Sequence, residues 1–526
     1  MLRRIRILLA IVFGLGVTLL FLDFTGTAHR YIGWMAKVQF LPAVLAVNIL
    51  VVVGLVLLTL LLGRIYCSVV CPLGVMQDII AWVSKRKLFR KNKRAKLANK
   101  YSYSPTKRVL RALVLLLFLI LMVAGLNSLA ILIAPYSAYG RIAANLMQPL
   151  WLWANNGLAA LAEHYDSYAF YTVDVWMRSL STLLVAVGTL LVIAVLAWRG
   201  GRTYCNTICP VGTILGYLSH FSMHGPVFET DKCNGCKLCQ RNCKASCIDV
   251  ANHHVDMTRC VMCGDCMDIC PQKAMQFGNR WKGGGSSAGH SSSASTARHS
   301  SPAGTSDISG ESKESLADPS RRNFVKGLGL VTTAVTLDAA AKTVDGGLAA
   351  IENKTLPERK TPLTPPGSLS AKHFAQHCTA CQLCIAECPN QVLRPSSNLE
   401  HMMQPMMEYE RGYCRPECTR CSQLCPTGAI RPITREEKTA HQIGHAVWIK
   451  DNCLPVTGGV DCGNCARHCP VGAIEMVPLD EAAEELTMIP AVNEAVCIGC
   501  GACENLCPAR PVSAIYVEGY EIHREI

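Results

Sequence analysis

Apolar residues crowd into the first two hundred positions of this chain. Four stretches carry few or no charges: residues 7–22, 40–63, 112–135 and 180–198. Each is near the length needed to cross hydrocarbon. A buried core helix would satisfy that test for any one of them, but four in succession predict a four-helix transmembrane domain over residues 1–219. Downstream the pattern changes to short strand-like pieces, such as 428–430 and 472–474, set between cysteine-rich loops. The chain therefore reads as multi-domain: a four-helix transmembrane domain plus small α+β domains rich in cysteine at 220–280 and 346–526.

Flanking charge gives the expected orientation. Arg3, Arg4 and Arg6 precede the first span, which places the N-terminus in the cytoplasm. Residues 64–111 are strongly basic, with Lys85, Arg86, Lys87, Arg90, Lys91, Lys93, Arg94 and Lys96 close together, and two spans return the chain to the same side. Residues 136–177 carry Arg141 against Glu163, Asp166 and Asp174, which suits the outside. Much of the formal charge of +13 sits in that one basic loop. It reads as cytoplasmic retention and headgroup contact rather than nucleic-acid binding.

A repeat lies inside the apolar region. Arg64-Ile-Tyr66-Cys67-Ser-Val-Val-Cys71-Pro72-Leu-Gly74 recurs as Arg202-Thr-Tyr204-Cys205-Asn-Thr-Ile-Cys209-Pro210-Val-Gly212, the shared pattern being R-x-Y-C-x3-C-P-x-G. Each copy follows the second helix of a hairpin, so two related hairpins are expected, with both motifs at the cytoplasmic face. Cys67, Cys71, Cys205 and Cys209 could together hold a further metal centre, act as redox or docking thiols, or mark helix ends.

The remaining cysteines carry the clearest chemistry. Cys233/Cys236/Cys239/Cys243, Cys260/Cys263/Cys266/Cys270, Cys378/Cys381/Cys384/Cys388 and Cys497/Cys500/Cys503/Cys507 follow C-x2-C-x2-C-x3-C. Cys414/Cys418/Cys421/Cys425 and Cys453/Cys462/Cys465/Cys469 are variants with a longer first spacing. A cubane cluster needs four soft thiolates, and in two-cluster ferredoxins the fourth comes from the partner run. Disulfide frameworks do not repeat one spacing six times, and zinc sites pair C-x2-C units further apart, often with His. Six [4Fe-4S] clusters follow, two in a small α+β ferredoxin domain of bacterial type at 220–280 and four in another at 346–526. In the first ferredoxin domain, cross-pairing gives Cys233, Cys236 and Cys239 with Cys270, and Cys260, Cys263 and Cys266 with Cys243. Cys247 is left over and reads as a packing residue.

Residues 281–319 turn to Ser, Gly and Ala, a flexible linker. Ser320-Arg321-Arg322-Asn323-Phe324-Val325-Lys326 then fits the twin-arginine export pattern, with a short apolar stretch at 327–341, making 320–345 a signal-like segment. Clusters are built in the cytoplasm and need a folded host, so export of folded protein is the route by which residues 346–526 would reach the periplasm.

Together these motifs resemble the accessory ferredoxins of the NapH and NapG type, and the related methylamine-utilisation ferredoxins. The first half is similar to NapH in its spans, its two C-x3-C-P motifs and its two-cluster ferredoxin. The second half is similar to NapG in its signal, in Pro365-Pro366-Gly367 and in its four runs. The membrane half is also similar to the polyferredoxin part of the nitrous oxide reductase accessory protein. The resemblance implies a quinol dehydrogenase component in the inner membrane, taking electrons from the quinone pool to a periplasmic reductase or cytochrome in a nitrate-reductase-like system. It also implies pairing of outer with outer and inner with inner runs: Cys378, Cys381 and Cys384 with Cys507; Cys497, Cys500 and Cys503 with Cys388; Cys414, Cys418 and Cys421 with Cys469; Cys453, Cys462 and Cys465 with Cys425. Fusion into one chain and the C-x3-C-x2-C-x3-C run depart from that family pattern.

No C-x2-C-H haem site or G-x-G-x-x-G fingerprint occurs, so the chain relays electrons and needs a partner. The alternative is a redox-maintenance or maturation protein that carries cytoplasmic electrons to a periplasmic metalloenzyme. Asp23 and His29 are the best polar candidates for a quinone site, with surface anchoring as the plainer reading.

Overall fold

The computed structural model describes residues 2–85, 101–281, 354–480 and 487–526, with two further strands at Val344–Asp345 and Ala349–Ala350. Most of the basic loop, the linker and the twin-arginine segment lie outside the described residues. One compact unit comprises residues 1–283, 356–509 and 513–526, and so contains the helical domain and both ferredoxin domains. A second comprises residues 284–355 with 510–512; within it the two short strands pair antiparallel.

Among the described residues, the apolar half is framed by α1 (Leu2–Leu22), α2 (Ile49–Leu62), α3 (Pro72–Lys85), α4 (Arg108–Val123), α5 (Pro135–Ile142), α6 (Leu180–Gly200) and α7 (Pro210–His220), with α5 continued through a π-helical turn into a further helix, Gln148–His164. Among the described residues, only α1 and α6 are long and apolar enough to cross a membrane by length and composition. The second expected span is broken: Val47 takes a positive φ of 52°, and Asn48 then caps α2 by accepting from the Val51 amide. The third stops at Val123, ahead of Gly125 at φ 78°. α1 buries Ala10, Val17, Leu20 and Phe21 and exposes Leu8, Leu15 and Leu19. Its exposed face is therefore as apolar as its buried one, unlike the polar outer face of a helix in water.

The repeat in the sequence is a repeat in the structure. α2 and α6 each end at a glycine with a positive φ, Gly63 at 68° and Gly201 at 66°. The arginine follows, then a short helical turn (Tyr66–Val69, Thr203–Thr207), then Cys-Pro. Proline opens α3 and α7, where its missing N–H costs no helical bond.

In the first ferredoxin domain, β1 (His224–Phe228) pairs antiparallel with β2 (Met275–Asn279), Phe228 opposite Met275. In the second, β3 (His441–Trp448) pairs with β6 (Ile515–Glu525), and β4 (Ile474–Pro478) with β5 (Met488–Val492). In every run a helical turn of four or five residues carries the third cysteine and leads to the fourth. In five runs the residue before that turn is left-handed: Lys237, Gly264, Gln382, Gly463 and Gly501. Thr419, in the C-x3-C-x2-C-x3-C run, is not.

The two ferredoxin domains contact opposite ends of α1. At its start Arg3 pairs with Asp265 and Asp268 of the first. Just past its end, Arg420 of the second donates to the Phe24 and Thr25 carbonyls. Twenty-one helical residues separate these contacts by about 30 Å. The second domain is also held by Trp176, whose ring lies between Arg394 (4.7 Å) and Arg411 (4.9 Å).

Candidate iron–sulfur and thiol sites

Cys233, Cys236, Cys239 and Cys270 line one cavity, and Cys243 lies with Cys260, Cys263 and Cys266. This is the cross-pairing expected of the first domain. The leftover Cys247 is buried with its sulfur 3.5 Å from that of Cys243.

The second domain departs from the expected order. Cys453, Cys462 and Cys465 line a cavity with Cys507, not Cys425. Cys497, Cys500 and Cys503 line one with Cys469, not Cys388. Cys378, Cys381 and Cys384 lie with Cys425, not Cys507, and Cys414 and Cys421 with Cys418 and Cys388, not Cys469. Consecutive runs exchange their fourth cysteine, so each neighbouring pair closes as one two-cluster unit. The β3–β6 and β4–β5 pairs gather the last two runs together, which brings Cys469 and Cys507 across to each other's loops.

Each foursome offers sulfur only, and backbone amides point at several sulfurs: Ala274 at Cys270 (3.3 Å), Ala380 at Cys378 (3.4 Å), Ala473 at Cys469 (3.2 Å) and Ala514 at Cys507 (3.3 Å). Such donors suit thiolates bound to an iron–sulfur cluster. Among the described residues, no three His, Cys, Asp or Glu side chains converge to hold a single metal ion.

The four cysteines of the repeat form a further group. All are buried and lie within electrostatic reach of one another. Around them the halves swap arginines. Arg64 Nη2 donates to the Cys205 carbonyl (3.1 Å), and Arg202 Nη1 donates to the Cys67 carbonyl (2.8 Å). Gly74 and Gly212 make room for this exchange: a Cβ on either would overlap the Cys67 or Cys205 carbonyl and crowd the opposing guanidinium. Asp78 joins the repeat to its surroundings. It accepts from Arg202 Nε (2.9 Å), Arg6 Nη1 (3.0 Å) and Lys244 Nζ (3.2 Å). Burial opposes its ionisation, yet Arg202, Lys244 and Arg6 hold its carboxyl well below the usual carboxylate range.

At the far end of α1, Asp23 caps its own loop, accepting from the amides of Thr25, Gly26 and Ala28. His29 pairs instead with the second ferredoxin domain: its Nδ1 lies 3.0 Å from Glu387 Oε1, leaving His29 Nε2 and Glu387 Oε2 buried without partners. Burial raises the Glu387 carboxyl above its ordinary value, against the pull of His29. Glu387 and Asp78 went unnoticed in the sequence, where nothing marks a lone carboxylate.

Family profiles described as a 4Fe-4S binding domain match residues 44–91, 182–224 and 253–276, and one described as a 4Fe-4S dicluster domain matches residues 460–510. The methylamine utilization ferredoxin-type protein MauM of Methylobacillus flagellatus is 34% identical over 167 residues, covering 31% of this chain and 70% of that protein. This chain belongs to the MauM/Nap ferredoxin-type family. Within it, the ferredoxin-type protein NapF of Escherichia coli K12 is 30% identical over 169 residues, covering 30% of this chain and 87% of NapF. NapG of the same strain is 29% identical over 176 residues, covering 31% of this chain and 75% of NapG. No solved structure matches the chain. The MauM/Nap relationship and the matched domains make this an iron–sulfur electron-transfer protein. The dicluster match takes in Cys462, Cys465 and Cys469 of one run and all four cysteines of the last, and leaves Cys453 outside it.

Proposed function

We propose that this MauM/Nap-type protein is an electron relay anchored in the inner membrane by four helical segments. Its first ferredoxin domain faces the cytoplasm, and its second is exported behind the twin-arginine segment. Quinol is oxidised at the outer side, and electrons pass through six [4Fe-4S] clusters to a periplasmic reductase or cytochrome. Bound clusters supply one-electron redox chemistry, and the 24 cysteines of the six foursomes would hold them.

The observation that carries this reading is the seat of the second domain on the apolar one. The Cys381 loop packs into α5 where Gly140 lacks a side chain, and Gln148 Nε2 donates to the Ala386 carbonyl (2.8 Å). A cluster site thus abuts the end of the apolar helices, where an electron from a membrane quinol would first arrive. The buried His29–Glu387 pair beside it can accept a hydrogen bond from a quinol hydroxyl.

The docking of the first ferredoxin domain at the other end of α1 favours the second reading, in which cytoplasmic electrons supply a periplasmic metalloenzyme. One experiment separates the two. Anaerobic, oxidised protein is mixed with a menaquinol analogue, and bleaching and EPR are followed. Reduction by quinol alone is expected. Reduction only by a low-potential cytoplasmic donor, such as reduced flavodoxin, refutes quinol entry and selects the maintenance role.

A further inference from the structure

We infer that the site of Cys233, Cys236, Cys239 and Cys270 is a docking port. Its rim of Lys237, Arg241 and Lys273 receives a soluble protein with an acidic face that carries one electron at a time. This rests on the reading above that the first ferredoxin domain carries clusters, and is independent of where quinol is oxidised.

Exposure singles the site out. Among the described residues, Cys236 is the one exposed cysteine. The neighbouring site is more enclosed, with Cys243 and Cys260 buried. An electron from a protein partner has to cross the gap between two molecules, so it enters where a cluster comes nearest the surface.

The backbone singles out the charges. Lys237 follows Cys236 at φ 58°, and Lys273 lies three residues after Cys270 at φ 52°. Both are left-handed, a conformation that a residue with a Cβ adopts at a cost. Other runs fill the position of Lys237 with Gly264, Gln382, Gly463 and Gly501, and that of Lys273 with Ser246, Gln391, Gly428 and Gly472. All of these are uncharged, and the two lysines flank one and the same site. Packing does not account for them, because both are exposed. Strain held at a surface without a return in packing points to use of the side chain. Arg241 joins them: it is exposed, and its amide donates to the Lys237 carbonyl, which sets it one helical turn on and on the same face. Lys237 also lines the cavity of the four sulfurs.

The charge is left over. Among the described residues, none of the three cations pairs with a carboxylate. Nearby carboxylates are engaged elsewhere: Glu229 with Lys232, Asp249 with the Asn252 side chain, Asp268 with Arg3. Asp231 remains, accepting from the adjacent Thr230 hydroxyl (3.4 Å). An unpaired basic rim around a redox site attracts a partner of opposite charge and speeds its arrival. The rim favours a protein over lipid headgroups, because the domain meets the apolar helices through the other site. There Arg64 donates to the Thr258 carbonyl and Lys244 pairs with Asp78, beside Cys260 and Cys243. Among the described residues, no hydrogen bond or ion pair ties residues 232–242 or Lys273 to the apolar helices.

One electron passes from the partner's reduced centre to the Cys233/Cys236/Cys239/Cys270 site, oxidising the first and reducing the second. A flavin partner goes from hydroquinone anion to neutral semiquinone, so no bond is made or broken and no proton moves. Cys239 lies within electrostatic reach of Cys266 in the neighbouring site, which leads the electron inward.

The test uses the full-length protein in detergent, purified anaerobically, with flavodoxin as the acidic probe. Flavodoxin hydroquinone is mixed with oxidised protein by stopped flow. Binding of oxidised flavodoxin is measured separately by calorimetry, and binding to anionic phospholipid vesicles alongside. Lys237→Gln, Arg241→Gln and Lys273→Gln are combined; Gln382 and Gln391 already occupy the equivalent left-handed positions. The triple variant is expected to bind and react about ten-fold more weakly and slowly at low salt, and to lose most of the salt dependence. Asp231→Asn is expected to act in the opposite direction. Photoreduced deazaflavin, small and uncharged, is expected to reduce every variant alike. Unchanged rates and binding in the triple variant overturn the port, as does a loss confined to vesicle binding or a wild type that does not react with flavodoxin. Wild-type protein without iron overturns instead the cluster reading beneath it. Should the triple variant fail to hold iron, Lys273→Gln alone is expected to give a smaller loss of the same sign, and its absence overturns the port.

Discussion

Replacing Asp78 by Asn removes one negative charge and leaves three cations facing one another. Arg202, Arg6 and Lys244 all reach this carboxylate, whose side chain is 14% exposed. The partners come from different parts of the molecule: the second cysteine repeat, the start of α1, and the residue after the cluster ligand Cys243. Taking away one member of a buried ion pair costs about 3–5 kcal/mol, since the charges left behind stay desolvated. The substitution should therefore loosen the first ferredoxin domain from the cysteine repeat by that amount, roughly a 10²- to 10⁴-fold shift in the opening equilibrium. The Arg202 amide reports on it directly, because its hydrogen bond to the Lys244 carbonyl spans the joint. Hydrogen exchange of residues 201–209 in detergent should accelerate accordingly. Arg3→Ala is the control. Arg3 also pairs with the first ferredoxin domain, but its side chain is 44% exposed, so its loss should cost about 1 kcal/mol or less. If Asp78→Asn accelerates exchange no more than Arg3→Ala does, the carboxylate is not the hub of this joint.

Cys425→Ser should weaken the cluster held by Cys378, Cys381 and Cys384 and spare the one at Cys453, Cys462, Cys465 and Cys507; loss of the latter instead, by Mössbauer or EPR signature, would restore the outer–outer and inner–inner pairing. Burial, with His441 adding, holds the His523 imidazole down at about 3, against about 6.5 in an unfolded chain. The unfolded chain therefore takes the proton first: stability from this group is whole above pH 6.5 and declines as pH falls towards 3. About 1–2 kcal/mol should go between pH 7 and 5, and His523→Gln should flatten that slope in denaturant unfolding followed by cluster absorbance. Arg321→Lys with Arg322→Lys should leave residues 346–526 protected from external protease in spheroplasts, and normal export would exclude the twin-arginine route.

What could be read from the sequence was local. Cysteine spacing, the R-x-Y-C-x3-C-P-x-G repeat and the proline after the second cysteine all express geometry within a dozen residues, and each has its structural counterpart. Which run lends the fourth ligand depends instead on the path of the chain between runs, and spacing alone does not contain it. The pairing taken from family resemblance failed there. The second and third apolar stretches looked continuous because hydropathy does not register a left-handed Val47 or a cap at Asn48. His29 was visible as a polar residue near an apolar end. Its partner Glu387 was not, because 358 positions separate them and only the docking of the second domain brings them together. The arginine of each repeat was seen as part of a pattern, but its reach into the opposite repeat requires both halves to be folded.

The buried charges around the cysteine quartet of the repeat bear on how an electron could rest inside an apolar domain. Arg6, Arg64, Arg111, Arg202, Lys244 and Arg259 are all buried near the joint with the first ferredoxin domain. Asp78, Asp256 and Asp265 oppose them only in part. In a low-dielectric setting this excess of positive charge acts over a long range. It lowers the cost of placing an electron on a thiolate-bound centre that bare hydrocarbon would penalise heavily. The same cations tie α1, the two repeats and Lys244 into one rigid joint. The groups that would make the quartet reducible are thus the groups that fix its distance from the neighbouring cluster site. Loosening the joint at Asp78 should change electron transfer and domain docking together.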